Sequence, residues 1–225
     1  MDAVLKRSAE AQATEILREQ ILTGHIRTGA RLTEVRLAAE LKVSRATVRT
    51  ALHQLTVEGL IVQTPYTGWS VMTLTARDAW ELYTLRASLE GLAARLAARS
   101  LNAAGRAELD RAFNRLSSAS LRGSWAKTTT ADFALHKTIV QLAGHQRLAE
   151  QYRLVEQQVR VSIGSINALM SDLSTIIDQH KPIVDAILSG REDEAASCSE
   201  AHSITEGERL HAHLSVREKP SLSAD

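Results

Sequence analysis

The chain is poor in the residues that cross-link or stiffen a protein: of 225 residues, one is cysteine, three are proline, and the aromatics amount to three tryptophans, three tyrosines and two phenylalanines. The lone Cys198 excludes an intramolecular disulfide and a thiolate zinc cluster, and gives no reason to expect an oxidising compartment. Residues 1–11 lack the apolar core of a signal peptide, and no later run approaches the roughly 20 apolar residues of a membrane span. A cytoplasmic address without membrane contact is therefore expected. An excess of charge is missing too, with 27 Lys/Arg against 26 Asp/Glu and a net charge of +1. Bulk charge thus says nothing about nucleic acid, and the sign must be read locally. Division near residue 75 gives nine basic against seven acidic residues before it and eighteen against nineteen after it, a small asymmetry. What is abundant is Ala and Leu. With 44% hydrophobic and 24% charged residues and eleven glycines, this is a folded chain, long enough for one large or two modest domains.

Few aromatics and many Ala and Leu favour packed helices over sheets. Ala9, Ala13, Ile16, Leu17 and Ile21 recur at three- and four-residue steps, and Gly24 and Gly29 mark the turn that follows. Thr33 can cap a short helix with Val35, Leu37, Ala38 and Leu41 apolar, and Ser44 a second one that Gly59 ends. Two β-prone runs, 60–64 and 69–73, flank Pro65-Tyr66-Thr67-Gly68 and read as a hairpin. Thr75 and Asp78 fit a capping box that opens a long helix. Beyond it the pattern predicts helices alone, over 76–99, 102–118, 124–143, 147–169, 175–189 and 191–213. On the first of these, Leu82, Leu85, Leu89, Leu92 and Leu96 form the stripe expected to face the core. Glu192, Asp193 and Glu194 suit the first turn of the last helix. The expected organisation is mainly α: a winged helix-turn-helix with a small hairpin wing at 1–75, an all-α six-helix bundle at 76–216, and a disordered tail at 217–225.

Two short helices followed by a hairpin describe a reading head whose second helix enters the major groove. On Ser44–Glu58, Arg45 and Arg49 share a face, Lys42 precedes them, and no acid lies between Glu40 and Glu58. Ser44, Thr47 and Thr50 add short hydroxyls on that face, while Val48, Ala51, Leu52 and Leu55 point inward. Guanidinium matches the two acceptors of guanine, so Arg45 or Arg49 suits base reading, with the choice between them open. The stretch Leu32 to Leu60, with Pro65, Gly68 and Val71, resembles the GntR family of bacterial transcription regulators. That resemblance implies DNA contacts from Ser44, Arg45, Thr47 and Arg49, with Gly68 at the wing tip. The chain departs from the family at Ala46-Thr47, where Thr-Pro is common, at Thr50, where Glu is common, and at Val35, where some members carry a contacting arginine.

Asp132 and His136 are four apart on a predicted helix and can chelate from one face. Alone, such a pair is a weak signal, since most are surface ion pairs of the usual four-residue kind. His180 and His202 lie on either side of Gly190, and two antiparallel helices turning there would bring them to one depth, facing Asp132 and His136. Three imidazoles and one carboxylate suit a divalent transition metal such as zinc, nickel, manganese or iron, and leave a position for an exogenous ligand. The segments Leu82–Glu90, Asp132–His136 with Ala143-Gly144, and His180 to His202 resemble the FCD effector domain of the FadR subfamily, in its metal-binding, VanR-like group. The resemblance implies a metal on Asp132, His136, His180 and His202, with a small organic acid beside it. Arg86 can pair with an effector carboxylate or, equally, with Glu90. His145 replaces a usual Asn and reads as a helix cap or surface residue.

Together these readings describe a ligand-responsive repressor that binds a palindromic operator as a homodimer, its affinity altered by a carboxylate at the metal. Two alternatives stand beside it. One is a metal-dependent hydrolase on a helical scaffold with an N-terminal docking module and Asp178 as its arguable base. The other is an apolar effector pocket without metal.

Overall fold

The computed structural model describes residues 8–164 and 175–218. These divide into two compact units: 8–73 together with 157–164, and 74–156 together with 175–218.

In the first unit the predicted helices form. Helix α1 (Ala9–Leu22) is opened by Ser8, whose hydroxyl accepts from the Ala11 amide. Helix α2 (Glu34–Leu41) starts after Thr33, which holds the cap position without a side-chain bond, and ends at Lys42 in the left-handed region. Helix α3 (Arg45–Val57) is capped by Ser44. It stops at Gly59, whose φ of +73° allows the Leu60 amide to reach back to the Leu55 carbonyl. A side chain there would also collide with Gln158, since an added Cβ would lie 2.3 Å from its amide nitrogen. Leu17, Ile21, Leu37, Val48, Leu52, Leu55 and Leu60 bury together as the core. The wing, β2 (Ile61–Thr64) and β3 (Gly68–Val71), gains a strand that the sequence did not announce. This is β1 (Arg31–Leu32), which pairs antiparallel with β3 to give the order β1-β3-β2. Two residues are too few to show alternation, so only the pairing reveals the strand.

The second unit contains the six helices expected: α4 (Ala76–Ser100), α5 (Ala103–Leu121), α6 (Trp125–Leu142), α7 (Gln146–Gly164), α8 (Thr175–Leu188) and α9 (Glu192–Glu218). Residues 157–164 of α7 cluster with the first unit. Thr75 and Asp78 form the reciprocal capping box. Residues 165–169 of the predicted 147–169 helix lie outside the described residues, as do 219–225 of the tail; 217 and 218 belong to α9 and are helical.

One expectation fails. Leu82 is buried, but Leu85 is 52% and Leu92 41% exposed, and Leu89 and Leu96 are half-buried. The inward face of α4 is instead Ala79, Ala87, Gly91, Ala93, Ala94, Ala97 and Ala98, interrupted by Arg86 and Glu90. Small residues let α9 approach closely: a Cβ on Gly91 would stand 2.4 Å from Glu200 Oε1, and one on Gly207 2.4 Å from Tyr83 Cβ. Around this seam Leu109, Leu116, Leu135, Ile139, Tyr152, Ile183 and Ile187 complete the core.

Candidate metal centre and nucleic-acid interface

Helices α6, α8 and α9 bring His136, His180 and His202 together. Each offers a nitrogen, and these atoms all lie within 4.8 Å of one another. The turn at Gly190 between α8 and α9 sets the His180 and His202 rings 4.3 Å apart, and His202 stacks on His136 at 5.3 Å. Asp132, one turn before His136, reaches two of the three: its Oδ1 is 2.8 Å from His180 Nε2 and 3.8 Å from His136 Nε2.

Hydrogen bonding from behind fixes which nitrogen faces the centre. His180 Nδ1 lies 2.7 Å from the Ile176 carbonyl, which can only accept, so Nδ1 carries the proton. His136 Nδ1 lies 3.2 Å from the Glu90 carboxylate and is protonated for the same reason. In the neutral rings both Nε2 atoms therefore present lone pairs, 3.0 Å from each other, and the buried Asp132 Oδ1 lies beside them, 2.8 Å from His180 Nε2. Three acceptors converging without a donor are repulsive unless a proton on His180 or a metal ion lies among them. The donor set fits a divalent metal, which His136, His180 and His202, with Asp132 beside them, would hold. Burial opposes the charge of Asp132, yet the neighbouring His180 and then His136 hold its carboxyl well below the usual range. Burial likewise opposes a proton on His180, but Asp132 outweighs it and raises that pKa. His202, buried and facing two other imidazoles, is pushed well down.

Glu90 is the hub that residue spacing alone did not reveal. It accepts from Arg86 Nε at 2.8 Å, the Tyr152 hydroxyl at 2.8 Å and the Ser203 hydroxyl at 2.7 Å, besides facing His136. Burial alone would protonate it, but Arg86 and then His136 keep it ionised. Of the two roles open to Arg86, the ion pair with Glu90 is formed. Arg86 Nη2 is nevertheless buried, with no hydrogen-bond partner among the described residues. His145 acts as a cap, its Nδ1 accepting from the Leu148 amide. Asp178 is exposed.

On the first unit, Arg45 and Arg49 project from α3 with side chains 63% and 55% exposed. Ser44 Oγ is engaged as the cap, accepting from the Thr47 amide at 3.1 Å, and lies 2.9 Å from the Thr47 hydroxyl. Gly68 opens β3 with φ +95°, while the turn's outermost side chain is Tyr66, fully exposed at φ +63°. The cationic stripe is less free than the sequence implies, because Glu34 of α2 reaches both arginines.

Residues 9–71 match the model of the bacterial regulatory proteins of the gntR family, and residues 81–205 that of the FCD domain. The chain is 34% identical over 178 residues to the Nta operon transcriptional regulator of Aminobacter aminovorans, covering 79% of this chain and 83% of that one. It is 27% identical over 196 residues to the "Probable D-xylose utilization operon transcriptional repressor" of Paenarthrobacter nicotinovorans, covering 84% and 85%. The "putative transcriptional regulator GntR from Rhodococcus sp. RHA1" superposes with a TM-score of 0.74 at 25% identity, over 93% of this chain and 99% of that one. None of these relatives is named as a hydrolase, and the metal-dependent hydrolase reading is set aside. The chain belongs to the GntR family of bacterial regulatory proteins and carries an FCD domain, which makes it a DNA-binding transcriptional regulator and not an enzyme.

Proposed function

We propose that this regulator is a cytoplasmic repressor acting as a homodimer on a palindromic operator, with a winged helix-turn-helix at 1–75 and a metal-dependent effector domain at 76–216. Ser44, Arg45, Thr47, Arg49 and Gly68 would face the duplex. Asp132, His136, His180 and His202 would hold zinc, nickel, manganese or iron, which supplies an electrophilic centre for a small carboxylate. Arg86 completes the effector site: Glu90 occupies one edge of its guanidinium, and the unpartnered Nη2 is a buried donor for the carboxylate. Effector binding would change operator affinity through a coupling of about 1–3 kcal/mol. A repressor is favoured because two relatives that cover most of the chain, the "Probable D-xylose utilization operon transcriptional repressor" and the gluconate operon transcriptional repressor of Bacillus licheniformis, are named as repressors.

The observation that carries this reading is the convergence of Asp132 Oδ1 with the Nε2 atoms of His136 and His180, whose Nδ1 atoms are already committed to Glu90 and the Ile176 carbonyl. Elemental analysis of purified protein tests it. One equivalent of a transition metal per chain is expected, and none in His180→Ala; an empty site in both would defeat the metal assignment. Selection of bound duplexes from random DNA, with and without carboxylic acids, then defines the operator and the class of effector.

A further inference from the structure

Arg49 and Arg45 are equivalent by sequence but not by geometry. Arg49 Nε and Nη2 donate to the two oxygens of Glu34, each at 2.8 Å, a fork-on-fork pair. Arg45 meets the same carboxylate only at one point, Nη2 to Oε2 at 3.5 Å. Glu34 is the first residue of α2, where the positive helix end also favours a carboxylate, and its side chain is only 14% exposed. Its pKa is lowered, chiefly by the hydrogen bond from Arg49, against the opposing effect of burial.

A guanidinium has two forked edges. With Nε and Nη2 held by Glu34, the edge left to Arg49 is Nη1 with the second Nη2 proton, still two parallel donors that match guanine O6 and N7. The clamp fixes the plane of that edge before DNA arrives, so less side-chain freedom is lost on binding. It also cancels the charge that would draw Arg49 to a phosphate, while a neutral base edge is less affected. We infer that Glu34 is a specificity-determining positioning residue: it dedicates Arg49 to reading guanine and leaves Arg45, held at one point, to the phosphate backbone. This rests on α3 being the DNA-reading helix.

The test uses full-length protein with a duplex recovered by selection and a scrambled duplex of equal length. For Glu34→Gln the scrambled duplex should bind more tightly, the selected one no better, and the ratio of affinities should fall about tenfold, the low end of one bidentate base contact. The slope of log affinity against log salt should steepen by about one, because a negative charge near the phosphates is gone. Arg49→Lys, which keeps charge but not the fork, should lose a guanine preference at one operator position while retaining affinity for the scrambled duplex. Equal weakening of both duplexes by Glu34→Gln, or an unchanged ratio and slope, overturns the inference and leaves Glu34 as a structural tie. Wild-type protein without salt-sensitive duplex binding would overturn the reading of α3 itself, and this inference with it.

Discussion

Glu90 shows how one carboxylate can serve both stability and binding. It is 2% exposed, compensates the buried charge of Arg86 and orients the His136 ring so that Nε2 faces the centre. Substituting Glu90→Gln leaves a buried guanidinium without its counter-ion, which costs about 3–5 kcal/mol. Chemical denaturation should report that loss, and metal titration should show affinity weakened by about 10- to 100-fold, as expected for a partner that orients a ligand. The pH dependence follows from the neighbouring pair. Since Asp132 raises the pKa of His180, the metal-free site keeps a proton above the range of an ordinary imidazole, and the ion pair's stabilisation is lost as pH rises through that raised value. Metal must displace the proton, so uptake should release it and affinity should increase with pH. Titration calorimetry in buffers of different ionisation enthalpy measures this; proton release independent of pH across the neutral range would contradict it.

Elements differ in how openly their sequences declare them. Helix caps were legible because their chemistry is local: Ser44 and the Thr75–Asp78 box each act within one turn. The convergence of Asp132, His136, His180 and His202 was legible from a four-residue step and a glycine turn, together with the family resemblance. The buried face of α4 was not, because leucine periodicity reports an apolar side and cannot say which side a partner helix selects. Here α9 selects the alanine and glycine side, where backbones approach most closely, and Leu85 and Leu92 are left exposed. Glu34 also escaped, and of Glu90 only the pairing with Arg86 on its own helix was legible, since their other partners lie on other elements. The α4–α9 seam yields a direct prediction. Gly207→Ala places a methyl 2.4 Å from Tyr83 Cβ, a backbone-near atom that cannot swing aside, so the helices must part. Overpacking of this kind costs about 1–3 kcal/mol, although alanine favours the helix by about 1. A net loss of stability should appear in thermal denaturation, whereas Ala at an exposed position such as Ser88 should not cause one.

At the scale of the molecule, the four proposed ligands come from three helices distant in sequence, all in one compact unit. Nothing in the unfolded chain holds them together, so metal binds the folded state and stabilises it by mass action. At a free concentration one hundred times the dissociation constant, the gain is about 2.7 kcal/mol. That gain has an address. Amides of α6, α8 and α9 become slower to exchange because each of these helices contributes a ligand, while α2 and α3, whose core is Leu37, Val48, Leu52 and Leu55, contribute none. Hydrogen-exchange mass spectrometry on the full chain, with and without zinc, should show protection rising in the first set. In His180→Ala the same additions should change neither set. Zinc-dependent protection that appears in α2 and α3 while sparing α6, α8 and α9 would move the ion-binding groups to the other unit and dissolve the centre assigned to these side chains.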